Sequence, residues 1–187
     1  LRLEQTRKTE ASLLSGKLFD VSGDHLAPSH AVKKGKRYRY YVSRRLLTDS
    51  NDKDGTGWRL PAHETEQMVL RAVKAMLSDH ASLADMIAMG GASSQQMPTL
   101  LQIAANILQK IDSTADHANL FCNVIQRVEL RRDAVNVKVA LAMADGATIT
   151  IGHEIPMQMR RRGVETRLVL GDGSQEIKGD PSLIKAV

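Results

Sequence analysis

Val32-Lys33-Lys34-Gly35-Lys36-Arg37-Tyr38-Arg39-Tyr40-Tyr41-Val42-Ser43-Arg44-Arg45 carries the clearest signal in this chain. From Lys33 to Arg45 there are seven basic residues and no acid, and all three tyrosines of the protein lie inside the stretch. Lys33-Lys34-Gly35-Lys36 has the form of a hairpin tip, with Gly35 free to take positive φ. Arg37 to Ser43 suits a strand, because aromatic and β-branched side chains pack well on a half-buried pleat. Alternation then places Arg37, Arg39 and Tyr41 on one face and Tyr38, Tyr40 and Val42 on the other. One face rests on a small core while the other presents guanidinium groups in a row. Such a row suits bidentate phosphate binding, with the Tyr41 hydroxyl adding a neutral hydrogen bond. The plainer alternative is a solvated basic strand that protects a sheet edge from aggregation.

The remainder of the chain sharpens the contrast. Its 187 residues suffice for a real core. Aromatics make up only 3%, so that core is built from aliphatic side chains and the eight methionines. Residues 1–60 hold 13 lysines and arginines against 7 acids, whereas residues 61–187 hold 13 against 14. The whole excess of the +5 net charge therefore sits in the first third, as in a basic recognition module joined to a neutral body. One cysteine, Cys122, excludes an internal disulfide and any Cys-rich zinc site, and its apolar flanks predict a buried structural thiol. No apolar run approaches the ~20 residues needed to cross a bilayer, and a cytoplasmic, nucleoid-associated location is expected. The start at Leu1 and the apparent helix at the other end suggest a piece of a larger protein.

The pattern predicts an α+β fold in three parts. Residues 12–47 form a basic β-ribbon module, with strands at Leu13 to Val21 and Leu26 to Pro28 preceding the hairpin. Residues 48–60, rich in Asp, Asn and Gly, form a linker. Their spacing does not match a calcium loop. Residues 61–128 are helical: one helix starts at Pro61, a short one at Ser82 to Met89 is capped by Ser82, and others span Pro98 to Ile111 and Leu120 to Val128. An antiparallel β-region follows over 128–170, with alternation from Val135 to Met143 and a turn at Ala144-Asp145-Gly146. Arg160, Arg161 and Arg162 form a second basic cluster between short strands. A helix from Pro181 to Val187 is cut short.

Catalytic motifs are missing. The six histidines form no His-Glu-x-x-His pair, and no phosphate-binding glycine loop or nucleophile elbow occurs. His25 and His30 with Asp20 or Asp24 make at most a weak metal site, so neither metal nor cofactor is expected.

The order of these motifs resembles the C-terminal region of large serine recombinases, of the resolvase/invertase family. The resemblance is carried by Leu13-Leu14-Ser15-Gly16-Lys17-Leu18-Phe19-Asp20, by Gly23-Asp24-His25-Leu26-Ala27-Pro28-Ser29-His30-Ala31, and by Lys34-Gly35-Lys36-Arg37-Tyr38-Arg39-Tyr40-Tyr41-Val42-Ser43. Leu60-Pro61-Ala62 with Glu66, Val128-Glu129-Leu130 and Ile155-Pro156-Met157 through Arg167-Leu168-Val169 extend it. It implies DNA recombination or integration by a mobile element, with double-stranded DNA and other recombinase subunits as partners and no membrane. The family's ribbon usually holds zinc on four cysteines; this one has none and resembles a metal-free variant. The catalytic serine domain is absent, so the segment is expected to bind DNA and cleave nothing. The expected DNA-binding residues are Lys33, Lys34, Lys36, Arg37, Arg39, Tyr41, Arg44, Arg45, Arg160, Arg161 and Arg162. The alternative is a synapsis module that contacts partner subunits and touches DNA little.

Overall fold

In a computed structural model, residues 12–48, 57–113, 117–162 and 165–170 are described. The chain begins with β1 (Leu18–Asp20), β2 (Leu26–Lys33), β3 (Lys36–Ser43), α1 (Arg44–Thr48) and β4 (Arg59–Pro61). Helices α2 (Ala62–Ser78), α3 (His80–Met89), α4 (Met97–Asp112) and the single turn α5 (His117–Asn119) follow. After a π-helical turn at Leu120–Val124 come β5 (Ile125–Leu130), β6 (Ala134–Ala142), β7 (Thr148–Arg162) and β8 (Glu165–Leu170). The fold is α+β, as the sequence pattern predicts.

Two sheets share one core. The larger has the order β1-β5-β6-β7-β8, with β1 parallel to β5 and every other pair antiparallel. Along β6, Val135, Val137, Val139 and Leu141 are fully buried while Lys138 and Ala142 face solvent. That alternation fixes which face the helices cover. Met68, Val69, Ala72, Val73 and Met76 of α2, with Leu100, Ala104 and Ile107 of α4, complete the core. Fully burying one such aliphatic side chain contributes roughly 1.5–3 kcal/mol. The smaller sheet has the order β2-β3-β4 and presses Leu26, Tyr41 and Leu60 into the same cluster.

Several elements depart from the expected pattern, each for a physical reason. Leu13 to Val21 is not one long strand: Gly16 at φ +73° turns the chain, and only Leu18–Asp20 pairs, with β5 of the other sheet. The third strand beside the hairpin is instead β4, which ends at Pro61. The helix expected to start at Pro61 therefore begins one residue later. Helix α3 starts two residues before Ser82 and is capped by Asp79, whose carboxylate accepts from the Ser82 amide and hydroxyl. Those bonds, the hydroxyl's first, hold the Asp79 carboxyl below the ordinary value.

The expected helix from Leu120 to Val128 is the largest correction. Its first half is the π-helical turn, and its second half is strand β5. Ile125 and Val128 both point inward at a helical separation because the register slips between Ile125 and Arg127. A bulge of this kind gives a strand the i, i+3 spacing of a helix. Cys122 falls on the outer side of the turn and is exposed, contrary to the buried thiol its neighbours suggested. Arg160 to Arg162 lie within β7, paired to β8, rather than in a turn between strands. Residues 49–56 of the expected linker and the helix from Pro181 to Val187 lie outside the described residues.

Lys17 ties the start of the fold to the π-helical turn that precedes β5. Its Nζ donates to the carbonyls of Phe121 (2.5 Å), Cys122 (2.7 Å) and Ile125 (2.7 Å), which the π-helical turn leaves open. Lys17→Met keeps the stem but removes every donor. It should cost about 1–3 kcal/mol, read as a shift in the urea unfolding midpoint at unchanged slope.

Candidate nucleic-acid interface

Strands β2 and β3 are paired from Leu26↔Ser43 to Lys33↔Lys36 and are closed by the two residues Lys34 and Gly35. Both of these have positive φ, +50° and +74°, which is the backbone of the tight hairpin turn whose twist matches the flanking strands. Gly35 adopts this freely; Lys34 is held there by the ladder on either side. β4 covers only Tyr40 to Val42 of β3. Beyond Tyr40 the ribbon therefore projects as a two-stranded arm, and every residue from Val32 to Tyr38 is exposed. No acid occurs between Asp24 and Asp49. Lys33, Lys34, Lys36 and Arg37 thus crowd the tip, and none has an acidic partner among the described residues. The Lys36 ammonium lies over the Tyr38 ring, 5.6 Å from its centroid, and stays exposed.

At the base of the arm the expected row of cations breaks. Arg39 turns inward to Glu66 of α2, with Nη1–Oε1 at 3.3 Å and Nη2–Oε2 at 3.5 Å. Glu66 is 3% exposed and also accepts from the Tyr41 hydroxyl at 2.7 Å and the Leu13 amide at 3.2 Å. Tyr41 is fully buried, and its hydroxyl accepts from the Leu14 amide at 2.9 Å. Burial above all, with the Glu66 carboxylate adding to it, pushes the Tyr41 phenol far above its ordinary pKa, so it acts as a neutral donor. Tyr41 is therefore no surface contact. Tyr40 to Ser43 are all buried here: β2 and β4 pair both edges of β3, and α2 packs against it. The sequence pattern alone does not distinguish that environment from a half-exposed strand.

Arg44 stands exposed at the start of α1. Arg45 reaches back to Asp20 (Nη2–Oδ2 3.5 Å), whose other oxygen accepts from the Ser22 amide and hydroxyl and from the Asp24 amide. The Asp20 carboxylate is thus already engaged. Among the described residues no cluster of three His, Cys, Asp or Glu side chains is placed to hold a metal ion. Arg160, Arg161 and Arg162 belong to the β7–β8 hairpin, and β8 runs beside β4 and α2, close to the base of the arm. Sequence reasoning missed Arg59 of β4, whose guanidinium stacks over Tyr40 at 5.6 Å and extends the basic surface along β3. Its lone position gave no signal; only the pairing of β4 with β3 brings it there.

Among the described residues a cleft of about 220 Å³ is lined by Ala75, Met76, Asp79, Ser82, Met86, His153 and Ile155. The Asp79 carboxylate in it is committed to capping α3. No described helix is long and apolar enough to cross a membrane. Comparison of the chain with protein-family models, curated proteins and solved structures returned no match.

Two arginines on one strand face should thus behave oppositely. Arg39→Gln should cost about 2–4 kcal/mol in urea unfolding, because it leaves the buried Glu66 carboxylate unmatched, and Glu66→Gln somewhat less, because the guanidinium it leaves is only half-buried. The double change should be less than additive by about 0.5–3 kcal/mol. Arg37→Gln should stay within about 0.5 kcal/mol of the parent.

Proposed function

We propose that this chain binds double-stranded DNA through the β2–β3 arm, as the DNA-targeting segment of a site-specific serine recombinase whose cleavage chemistry lies elsewhere. The observation that carries the reading is the unneutralised arm: four cations on a projecting two-stranded ribbon, with no acid in the surrounding sequence from residue 25 to 48. A cluster that merely kept the protein soluble would gain from interspersed acids, whereas polyanion binding is favoured by their exclusion. Lys33, Lys34, Lys36 and Arg37 form the primary contact, with Arg44, Arg59 and the β7–β8 cluster flanking it. Arg39 and Arg45 act from behind, through Glu66 and Asp20, by holding the arm and helix α1 in place. The recombinase part of the reading rests on the motif order from Leu13 to Ser43; the DNA part rests on charge and shape.

Binding to a random-sequence duplex, followed by fluorescence anisotropy over a salt series, tests it. Affinity should fall steeply with salt, since each phosphate neutralised releases counterions. Replacing Lys33, Lys34, Lys36 and Arg37 together with glutamine should lower the slope of log affinity against log salt by about three to four units. The unfolding midpoint should hold, because all four side chains are exposed. Unchanged slope and affinity would remove the arm from the interface and favour a surface that docks partner subunits. Incubated with supercoiled plasmid, the chain should leave it uncut.

A further inference from the structure

We infer that the cross-strand pair Val32–Arg37 reads base edges in the major groove, a proposal that rests on the DNA-binding reading above and assigns its sequence-reading element. Val32 is 68% exposed, near the end of an arm whose other exposed side chains, from residue 32 to 38, are the cations and Tyr38. A β-branched apolar side chain in that position gains nothing from water. It faces Arg37 in the ladder, so the two side chains share one face with Cβ atoms roughly 5 Å apart. That separation spans one or two base steps of about 3.4 Å. Arg37 has no ion-pair partner among the described residues, unlike Arg39 two positions along the same face, which is drawn to Glu66. Lys33 and Lys36 project from the opposite face and Lys34 from the tip itself, where phosphates flank an inserted ribbon.

The shape agrees with the chemistry. A major groove about 12 Å wide admits a two-stranded ribbon, whereas a minor groove about 6 Å wide does not. In the major groove a guanidinium can pair both acceptors of guanine, and an isopropyl group can pack on the thymine methyl. The Val32–Arg37 face therefore suits a guanine next to, or one step from, a thymine. The lysines supply affinity without sequence, and this pair supplies the preference.

The test is selection of bound duplexes from a randomised pool by the full chain and by Arg37→Lys and Val32→Ala, both at exposed positions. The parent should enrich sequences containing a guanine with a thymine within two steps. Arg37→Lys keeps the charge and should retain overall affinity and salt slope, while preference for the guanine falls on the order of tenfold. Val32→Ala should relax the thymine position alone, and replacing that thymine by uracil should lower parent affinity to match. A parent that binds all duplexes alike, or variants with unaltered preference, would overturn the pair as the reader and leave non-specific DNA binding standing. Failure of any duplex to bind at low salt would instead overturn the DNA-binding reading and this inference with it.

Discussion

The buried carboxylate of Glu66 is the contact on which the candidate interface depends. It gathers the Leu13 amide, the Tyr41 hydroxyl and the Arg39 guanidinium, three groups from the start of the fold, the base of the arm and the arm itself. Glu66 and Tyr41 are buried while Leu13 and Arg39 are half-buried, so losing one member leaves a desolvated carboxylate or hydroxyl short of a partner. The consequence is geometric as well as energetic. A two-stranded ribbon has no sheet neighbours to hold its angle, and among the described residues Arg39 is the arm cation that reaches back to an acid of the body. Charge that the sequence places in one row is divided by this contact into an anchor and a free tip.

That division gives each half of the charge pattern a purpose. An arm of identical composition without the anchor would swing, and ordering it on binding would subtract from affinity. Held at its base by Glu66, by β4 and by the Tyr40–Arg59 stack, it is presented in advance. The Lys17 ammonium does similar work where β1 and the π-helical turn meet. In one place a long cationic side chain meets a buried carboxylate, and in the other it satisfies backbone carbonyls at the π-helical turn. Among the described residues, the basic side chains of the arm and of Lys17 thus divide into those consumed in holding the fold and those left facing solvent.

Much of this was legible in the residues. The hairpin was readable because Lys34-Gly35 between alternating strands has few other solutions, and the β6–β7 meander because Val135 to Leu141 alternate without interruption. Helices α2 and α4 carried full stripes of apolar residues. What stayed hidden was whatever depended on a distant partner. Ile125 and Val128 have helical spacing, and only the bulge against β6 explains why they lie in a strand. Arg37 and Arg39 are equivalent in the sequence; Glu66, a turn into α2, makes them different. Tyr41 was expected at the surface because nothing local announces that a third strand and a helix enclose it. Arg59, isolated in sequence, joins the basic surface only through the β3–β4 ladder.

The most direct measurement is amide hydrogen–deuterium exchange of the whole chain with and without duplex DNA at low salt. The account predicts slowed exchange in residues 30–38, with strands β5 and β6 unchanged. Protection confined to other elements, with the arm exchanging as fast as in the free protein, would contradict it.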